Sequence, residues 1–244
     1  IIEEAPSPTL DDGLRHELCS TATRLMQEIG YTTAGTVEFI FDSKARKFYF
    51  LEVNTRLQVE HGITELITGL DIVAIMIDVA MGKKLPFGQT DIVPNRWALE
   101  CRMNAEDPKT FSPSFGPITR LQVPHGPAVR IASGVYEGAD IPPYYDSLFM
   151  LLMTAGADRD DAIKVMDRAL GRSLRVEGVK TLAPLLLSII RHPAFIEGEF
   201  STRFIEDHMD ELISMFKEKD SDDEVLKIAK YVAEISALGP QAWM

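Results

Sequence analysis

The stretch from Thr36 to Glu65, TVEFIFDSKARKFYFLEVNTRLQVEHGITE, constrains the fold more than any other part of the chain. Two apolar runs, Thr36 to Phe41 and Lys47 to Val53, flank the polar segment Asp42 to Arg46. That is the pattern of a β-hairpin with a loop of a few residues. A turn centred near Ala45 sets Glu38 opposite Glu52. Alternation then puts Glu38 and Ile40 on one face with Phe48, Phe50 and Glu52, and Val37, Phe39 and Phe41 on the other with Tyr49, Leu51 and Val53. Both faces are largely apolar, so both are expected to be covered.

Opposed residues of an antiparallel pair have Cβ atoms about 4.5–5.5 Å apart, where like charges repel. Burying an unpaired carboxylate adds a further penalty. A divalent cation removes both, and hard oxygen ligands on a rigid hairpin suit Mg²⁺ or Mn²⁺. If the chain stays extended beyond the hairpin, Glu52, Asn54, Arg56, Gln58 and Glu60 form one polar row beside that site. An amphipathic strand with a solvated polar face is the competing reading.

Composition narrows the classes that remain. A 45% apolar fraction over 244 residues is enough for one large domain or two small ones. The net charge of −12, with no basic run, argues against a nucleic-acid surface. Cys19 and Cys101 lie far apart in apolar patterns and are expected as buried free thiols. No apolar run reaches the ~18 residues of a membrane span, and no signal peptide is visible, so a cytoplasmic setting is expected.

Helical periodicity from Leu10 to Ile29, stopped by Gly30, predicts a core-facing helix. Asp71 caps an apolar helix from Ile72 to Met81 that is expected to be buried. A linker at Gly88 to Asn95 precedes a strand in which Trp97, Leu99, Cys101 and Met103 alternate with Ala98, Glu100, Arg102 and Asn104. Further strands are expected at Ile118 to Val123, Ala128 to Ser133, Leu148 to Thr154 and Leu174 to Val176. Helices are expected from Asp158 to Leu170, from Thr181 to His192 and from Ser201 to Phe216. A charged stretch then leads to a capping box, Ser221 with Glu224, and a last helix to Leu238.

FLEVNTRLQVEH, preceded by GTVEF, resembles the active-site segment of biotin carboxylase, the ATP-grasp component of biotin-dependent carboxylases. The resemblance continues through EEAPSP at Glu3 to Pro8, ECRMNAEDP at Glu100 to Pro108, PPYYDS at Pro142 to Ser147 and GVKT at Gly178 to Thr181. It implies an α+β fold, in which a C-terminal ATP-grasp lobe with an antiparallel sheet and flanking helices runs on into the family's C-terminal domain. The implied divisions are 1–92 for the first, 93–208 for the second, and 209–244 for a charged linker and terminal helix, where KYVAEIS resembles a connecting helix of pyruvate-type carboxylases.

The implied activity is carboxylation of carrier-bound biotin with ATP and bicarbonate through carboxyphosphate. Glu38, Glu52 and Asn54 resemble the metal ligands, and Ile40 and Leu51 lie at cofactor-binding positions for the nucleotide. Arg56, Gln58 and the backbone N–H of Val59 resemble the bicarbonate pocket, and Glu60 resembles the general base. Arg130, in GPAVR, resembles the arginine over the biotin ureido oxygen. An ordinary Arg56–Glu60 salt bridge and an ordinary strand-end cation at Arg130 are the competing readings. Tyr144 to Asp146 and Asn104 to Asp107 are expected to be scaffold around Arg130, and His61 a packed histidine.

Implied partners are a biotin carboxyl carrier, a carboxyltransferase and, for the full-length protein, a second copy of itself, with no nucleic acid and no membrane. Ile1 rather than Met opens the chain, and no glycine-rich phosphate loop occurs in it. It is therefore expected to be a C-terminal piece, inactive alone, with apolar surface near Phe48 and Phe50. Gly62 stands where the family usually has proline, and Met150-Leu151 where it has Gly-Lys. Another ATP-grasp ligase, such as a carbamoyl-phosphate synthetase, and a non-catalytic module are the alternatives.

Overall fold

The computed structural model describes residues 1–217, so the expected Ser221–Glu224 capping box, the helix to Leu238 and the KYVAEIS match lie outside the described residues. Two units are distinguished, Ile1–Glu199 and Phe200–Met244. The second is described by helix α7 (Phe204–Lys217) alone, with acidic Glu206 and Asp207 in its first turn and Arg203 Nη2 donating to Asp207 at 3.0 Å. The other elements belong to the first unit.

The first unit is an α+β arrangement around a four-stranded antiparallel sheet. It begins with β1 (Ile2–Ala5), α1 (Asp12–Glu28), β2 (Thr36–Asp42), β3 (Lys47–Asn54), α2 (His61–Thr68) and α3 (Ile72–Ala80). β4 (Trp97–Asn104), β5 (Gly116–Pro117), β6 (Arg120–Gln122), β7 (Val129–Ser133), β8 (Asp140–Ile141) and β9 (Leu148–Gly156) follow. α4 (Arg159–Arg168), a π turn at Ala169–Ser173, β10 (Arg175–Glu177), α5 (Ala183–Arg191) and α6 (Pro193–Glu197) complete it. The sheet runs β1-β4-β9-β7; β2-β3, β5-β8 and β6-β10 form separate pairs.

Leu99, Cys101 and Met103 of β4 pair with Thr154, Leu152 and Met150 of β9, so these residues share one face of the sheet. Packed on β4 and β9 is α4, with α5 behind it. Met166, Leu185, Leu186 and Ile190 of these helices are fully buried and make the main core. Asp158 accepts from Asp161 N at 2.8 Å to cap α4, as its sequence predicts. Glu4, on the same side, is held by Arg159 Nε at 2.5 Å and by Trp97 Nε1 at 2.6 Å, which pins β1 to the helical layer.

The opposite face carries Ala98, Glu100 and Arg102, and it too is covered, by α2, whose Ile63 and Ile67 pack on Ala98. The sequence shows β4 as a half-buried strand. Glu100 is instead 0% exposed. Gly62 lies at this contact, where an added Cβ would fall 2.3 Å from Met153 Sδ. The methionine thus fills the space a proline at that position would need. Gly62→Ala is expected to cost about 1–3 kcal/mol by overpacking, read from urea unfolding. Adding Met153→Ala should make the two costs less than additive, and strict additivity would contradict the contact.

The β2-β3 hairpin forms as expected, with Asp42 Oδ1 accepting from Lys44 N and Ala45 N at 2.9 Å across the turn. Its faces differ from simple alternation. Phe39 pairs with Phe50 and Phe41 with Phe48, and the register then shifts between Glu38 and Phe39, leaving Leu51 as the extra residue of a β-bulge. Phe39 accordingly meets the rings of Phe48 and Phe50 edge-on, with centroids 5.3 and 6.3 Å away. Phe48 and Phe50 therefore share a face with Phe39, not with Glu38.

Three coverage expectations fail in the same direction. α1 and α3 bury no residue, although the Asp71 side chain caps α3 through Ala74 N at 2.8 Å. The hairpin leaves Tyr49, Phe50, Ile40 and Leu51 exposed, and α3 leaves Val73 and Ile77 exposed. Cys19, on α1, is exposed for the same reason, while Cys101 is buried as expected. These elements have the apolar periodicity of packed structure, but nothing within Ile1–Glu199 supplies the opposing layer.

Candidate active site

Strand β3 ends at Asn54, so the row expected to continue through Glu60 does not stay extended. The chain turns, and Glu60 becomes the N-cap residue of α2 with φ −76° and ψ 7°. His61 is the first residue of that helix, its Nδ1 donating to Gln58 O at 2.8 Å, which agrees with a packed histidine. This turn divides the candidate residues into two clusters.

On the hairpin, Glu38 and Glu52 are register partners. The bulge is what brings them opposite one another. Asn54 Nδ2 donates to Glu38 Oε1 at 2.7 Å and to Glu52 Oε1 at 3.2 Å, and Gln58 Nε2 donates to Glu38 Oε1 at 3.2 Å. The amides of Asn54 and Gln58 thus gather the two carboxylates, whose oxygens fit a hard divalent ion. Ile40 follows on the same strand, and Leu51 sits in the bulge beside Glu52, both exposed. Arg56 is exposed, with Nη1 donating to Leu57 O at 3.2 Å, and Val59 is half-buried in the turn.

The second cluster lies between α2 and the sheet. Glu60 Oε2 accepts from Arg102 Nη2 at 3.0 Å, and Arg102 Nε donates to Glu3 Oε1 at 2.9 Å. The competing reading, a simple pair of Glu60 with Arg56, is therefore not the pair formed. Glu65, on α2 and 7% exposed, holds Arg130 Nη1 at 2.5 Å through Oε2 and caps α3 through Oε1, which accepts from Ile72 N at 2.8 Å. One helix is thus bridged by two acid–arginine pairs to two strands of the sheet.

Glu3, Glu100, Met153 and Arg130 form one row across β1, β4, β9 and β7. Burial, and after it the facing Glu3, pushes the Glu100 carboxyl up to about 8. Burial also raises Glu3. Sequence reasoning missed Glu3, Glu65, Glu100 and Arg102. The available signal was the acid–X–Arg pattern of Glu100-Cys101-Arg102 on one strand face, which alternation alone assigned to solvent.

The expected scaffold is only partly as read. Asn104 Nδ2 donates to Ser147 Oγ at 2.9 Å and to Glu106 Oε1 at 3.2 Å, tying the ends of β4 and β9 together. Tyr144 and Tyr145 are exposed and do not hold Arg130, which Glu65 does. Among the described residues, no helix is long and apolar enough to cross a membrane.

Residues 1–87 match the model of the carbamoyl-phosphate synthase L chain ATP-binding domain, and residues 100–207 that of the biotin carboxylase C-terminal domain. The chain is 45% identical over 207 residues to biotin carboxylase 1 of Bacillus subtilis (strain 168), covering 84% of this chain and 46% of that protein. It is 48% identical over 210 residues to the human mitochondrial propionyl-CoA carboxylase alpha chain, covering 85% of this chain and 29% of that one. A solved biotin carboxylase domain dimer of Hydrogenobacter thermophilus 2-oxoglutarate carboxylase, in complex with MgADP, ADP and bicarbonate, superimposes with a TM-score of 0.84. It is 43% identical, with 88% of this chain and 47% of that one covered. The chain therefore spans less than half the length of these relatives.

Proposed function

The chain belongs to the biotin carboxylase family, and from that premise we propose that it supplies the metal, bicarbonate and biotin side of an ATP-dependent biotin carboxylase centre. The observation that carries this reading is the pairing of two acid sites by one short stretch. Glu38 and Glu52 stand opposed on the hairpin. Glu60, only a turn further on, is held by Arg102.

Glu38, Glu52 and Asn54 would hold Mg²⁺ or Mn²⁺, which when bound shields the ATP phosphates and aligns the γ-phosphoryl group. Ile40 and Leu51 offer apolar contact to the nucleotide. Arg56, Gln58 and Val59 N–H bind bicarbonate, the guanidinium matching a planar anion with paired donors. Glu60 takes the bicarbonate proton as its oxygen attacks the γ-phosphoryl group, giving carboxyphosphate and ADP. Carboxyphosphate then breaks down to CO₂ and phosphate, the phosphate takes the biotin N1 proton, and the biotin enolate attacks CO₂.

That enolate needs a fixed cation. Arg130 carries the role in the sequence reading and is paired with Glu65. Arg102 is paired with Glu3 and with Glu60, and we favour it for the role because it touches the base. A biotin carboxyl carrier, a carboxyltransferase, a second copy of the full-length protein and a cytoplasmic setting complete the proposal. The match over residues 100–207 favours it over a carbamoyl-phosphate synthetase.

The metal assignment is tested on the chain directly. Mn²⁺ should broaden hairpin resonances of the wild type, and both Glu38→Gln and Glu52→Gln should weaken that binding at least tenfold. Broadening unchanged in both variants would remove the assignment. Without metal, Glu52→Gln should stabilise the hairpin by roughly 0.2–1 kcal/mol, since it relieves a like-charge cross-strand pair.

A further inference from the structure

Three carboxylate oxygens beneath α2 are buried and have no hydrogen-bond partner: Glu3 Oε2, Glu100 Oε1 and Glu100 Oε2. Glu3 and Glu100 are register partners, so their side chains leave adjacent strands at directly opposed positions on one face. Glu100 is 0% exposed, so solvent does not compensate it. Acceptors in excess of donors at a buried pair call for a donor, and a proton on one carboxyl provides it.

We propose that Glu3 and Glu100 form a carboxyl pair sharing a single proton, and that this pair positions Arg102 against Glu60. The proposal rests on the assignment of Glu60 and Arg102 to the reacting centre. With the proton on Glu100, the opposed Glu3, whose Oε2 has no other partner, is the acceptor that the strand pairing supplies. The other Glu3 oxygen accepts from Arg102 Nε at 2.9 Å, and Arg102 Nη2 reaches Glu60 at 3.0 Å. The buried pair is thereby connected to the base through one guanidinium.

The surrounding side-chain charges cancel, so nothing compensates a second negative charge in the pair. Arg102 on β4 and Arg130 on β7 are opposed by Glu60 and Glu65 on α2, and β9 contributes the uncharged Met153. Loss of the shared proton puts a second charge under Arg102 and draws its guanidinium from Glu60 toward the sheet. Glu3 and Glu100 are positioning residues, acting on the base through Arg102.

The test uses the whole chain, labelled with ¹³C at glutamate Cδ and ¹⁵N at arginine Nε, from about pH 5 to about pH 9. One glutamate resonance should titrate with a midpoint of about 8, vanish in Glu100→Gln and move to lower pH in Glu3→Gln. The Arg102 Nε resonance, identified by its loss in Arg102→Lys, should shift with the same midpoint. It should stay fixed in Glu100→Gln. A wild-type spectrum with no glutamate titrating above about pH 6 overturns the pair even if every variant misfolds. An Arg102 signal that stays still through the Glu100 titration overturns the positioning. Neither readout involves turnover, so either failure leaves the carboxylase reading intact. A hybrid joining this chain to the remainder of a relative that shows no bicarbonate-dependent turnover, with the titration unchanged, would remove that reading and leave the pair.

Discussion

In a protein that joins this stretch to the remainder of a relative, Arg102→Ala should lower biotin carboxylation by roughly 10²–10³-fold, the loss seen when one preorganised donor to a developing oxyanion is removed. Arg130→Ala in the same protein should do something different. Its partner Glu65 is 7% exposed and would be left as a buried, uncompensated carboxylate. Breaking such a pair from one side costs about 3–5 kcal/mol. The Glu65 bond to Ile72 N survives and reduces the cost, so about 2–4 kcal/mol of stability is expected. The two arginines are therefore separated by which quantity moves. Carboxylation lost in Arg130→Ala at unchanged stability, with Arg102→Ala still active, would restore Arg130 to the enolate.

The second large effect is a loss of stability as the pH rises. Glu100 goes from an ordinary value of 4.5 to about 8 on folding, because burial, and then the facing Glu3, disfavours its charge. Below 4.5 both states hold the proton, and Glu100 makes no difference. Between 4.5 and about 8 the unfolded chain releases the proton and the folded one keeps it, so stability falls with rising pH. At ~1.4 kcal/mol per unit, the loss across the window is on the order of 5 kcal/mol, complete above about 8. Glu100→Gln has no proton to lose. Urea midpoints should show the variant gaining on the wild type from pH 5 to pH 8. Parallel curves would mean that Glu100 is not the group that titrates.

The hairpin was legible because its two runs have period-2 alternation around an Asp-led turn, and the opposed acids follow from that. Alternation reached the pairing of Glu38 with Glu52 through two offsetting departures. The turn is one residue out of the expected register, and the bulge at Leu51 restores it. The phenylalanine rings, which lie on the turn side of the bulge, show the difference. A bulge leaves no mark in hydrophobic pattern, so no reading of the runs could have found it.

The second cluster was not legible, for a topological reason. Its acid Glu3 sits on a four-residue strand, IEEA, whose partner β4 lies about a hundred residues later in the chain. Local pattern cannot reveal such a pairing. The α2 segment HGITELIT is short and follows a row that reads as extended strand, so its role as cover for the Glu100 face was invisible. Once α2 is in place, Glu100 is buried and Arg102 half-buried, although alternation assigns both to water. The exposed apolar faces of α1, α3 and the hairpin have the converse cause. Their sequences specify packing against a layer that Ile1–Glu199 does not contain, consistent with a chain matching 46% of the B. subtilis relative's length.

Replacing the matched portion of B. subtilis biotin carboxylase 1 with the 207 matched residues of this chain tests the central claim most directly, by phosphate release from MgATP. The account predicts release that requires bicarbonate, is abolished by Glu60→Gln, and is not given by this chain alone. A folded hybrid that binds MgATP yet releases no phosphate in response to bicarbonate would contradict it.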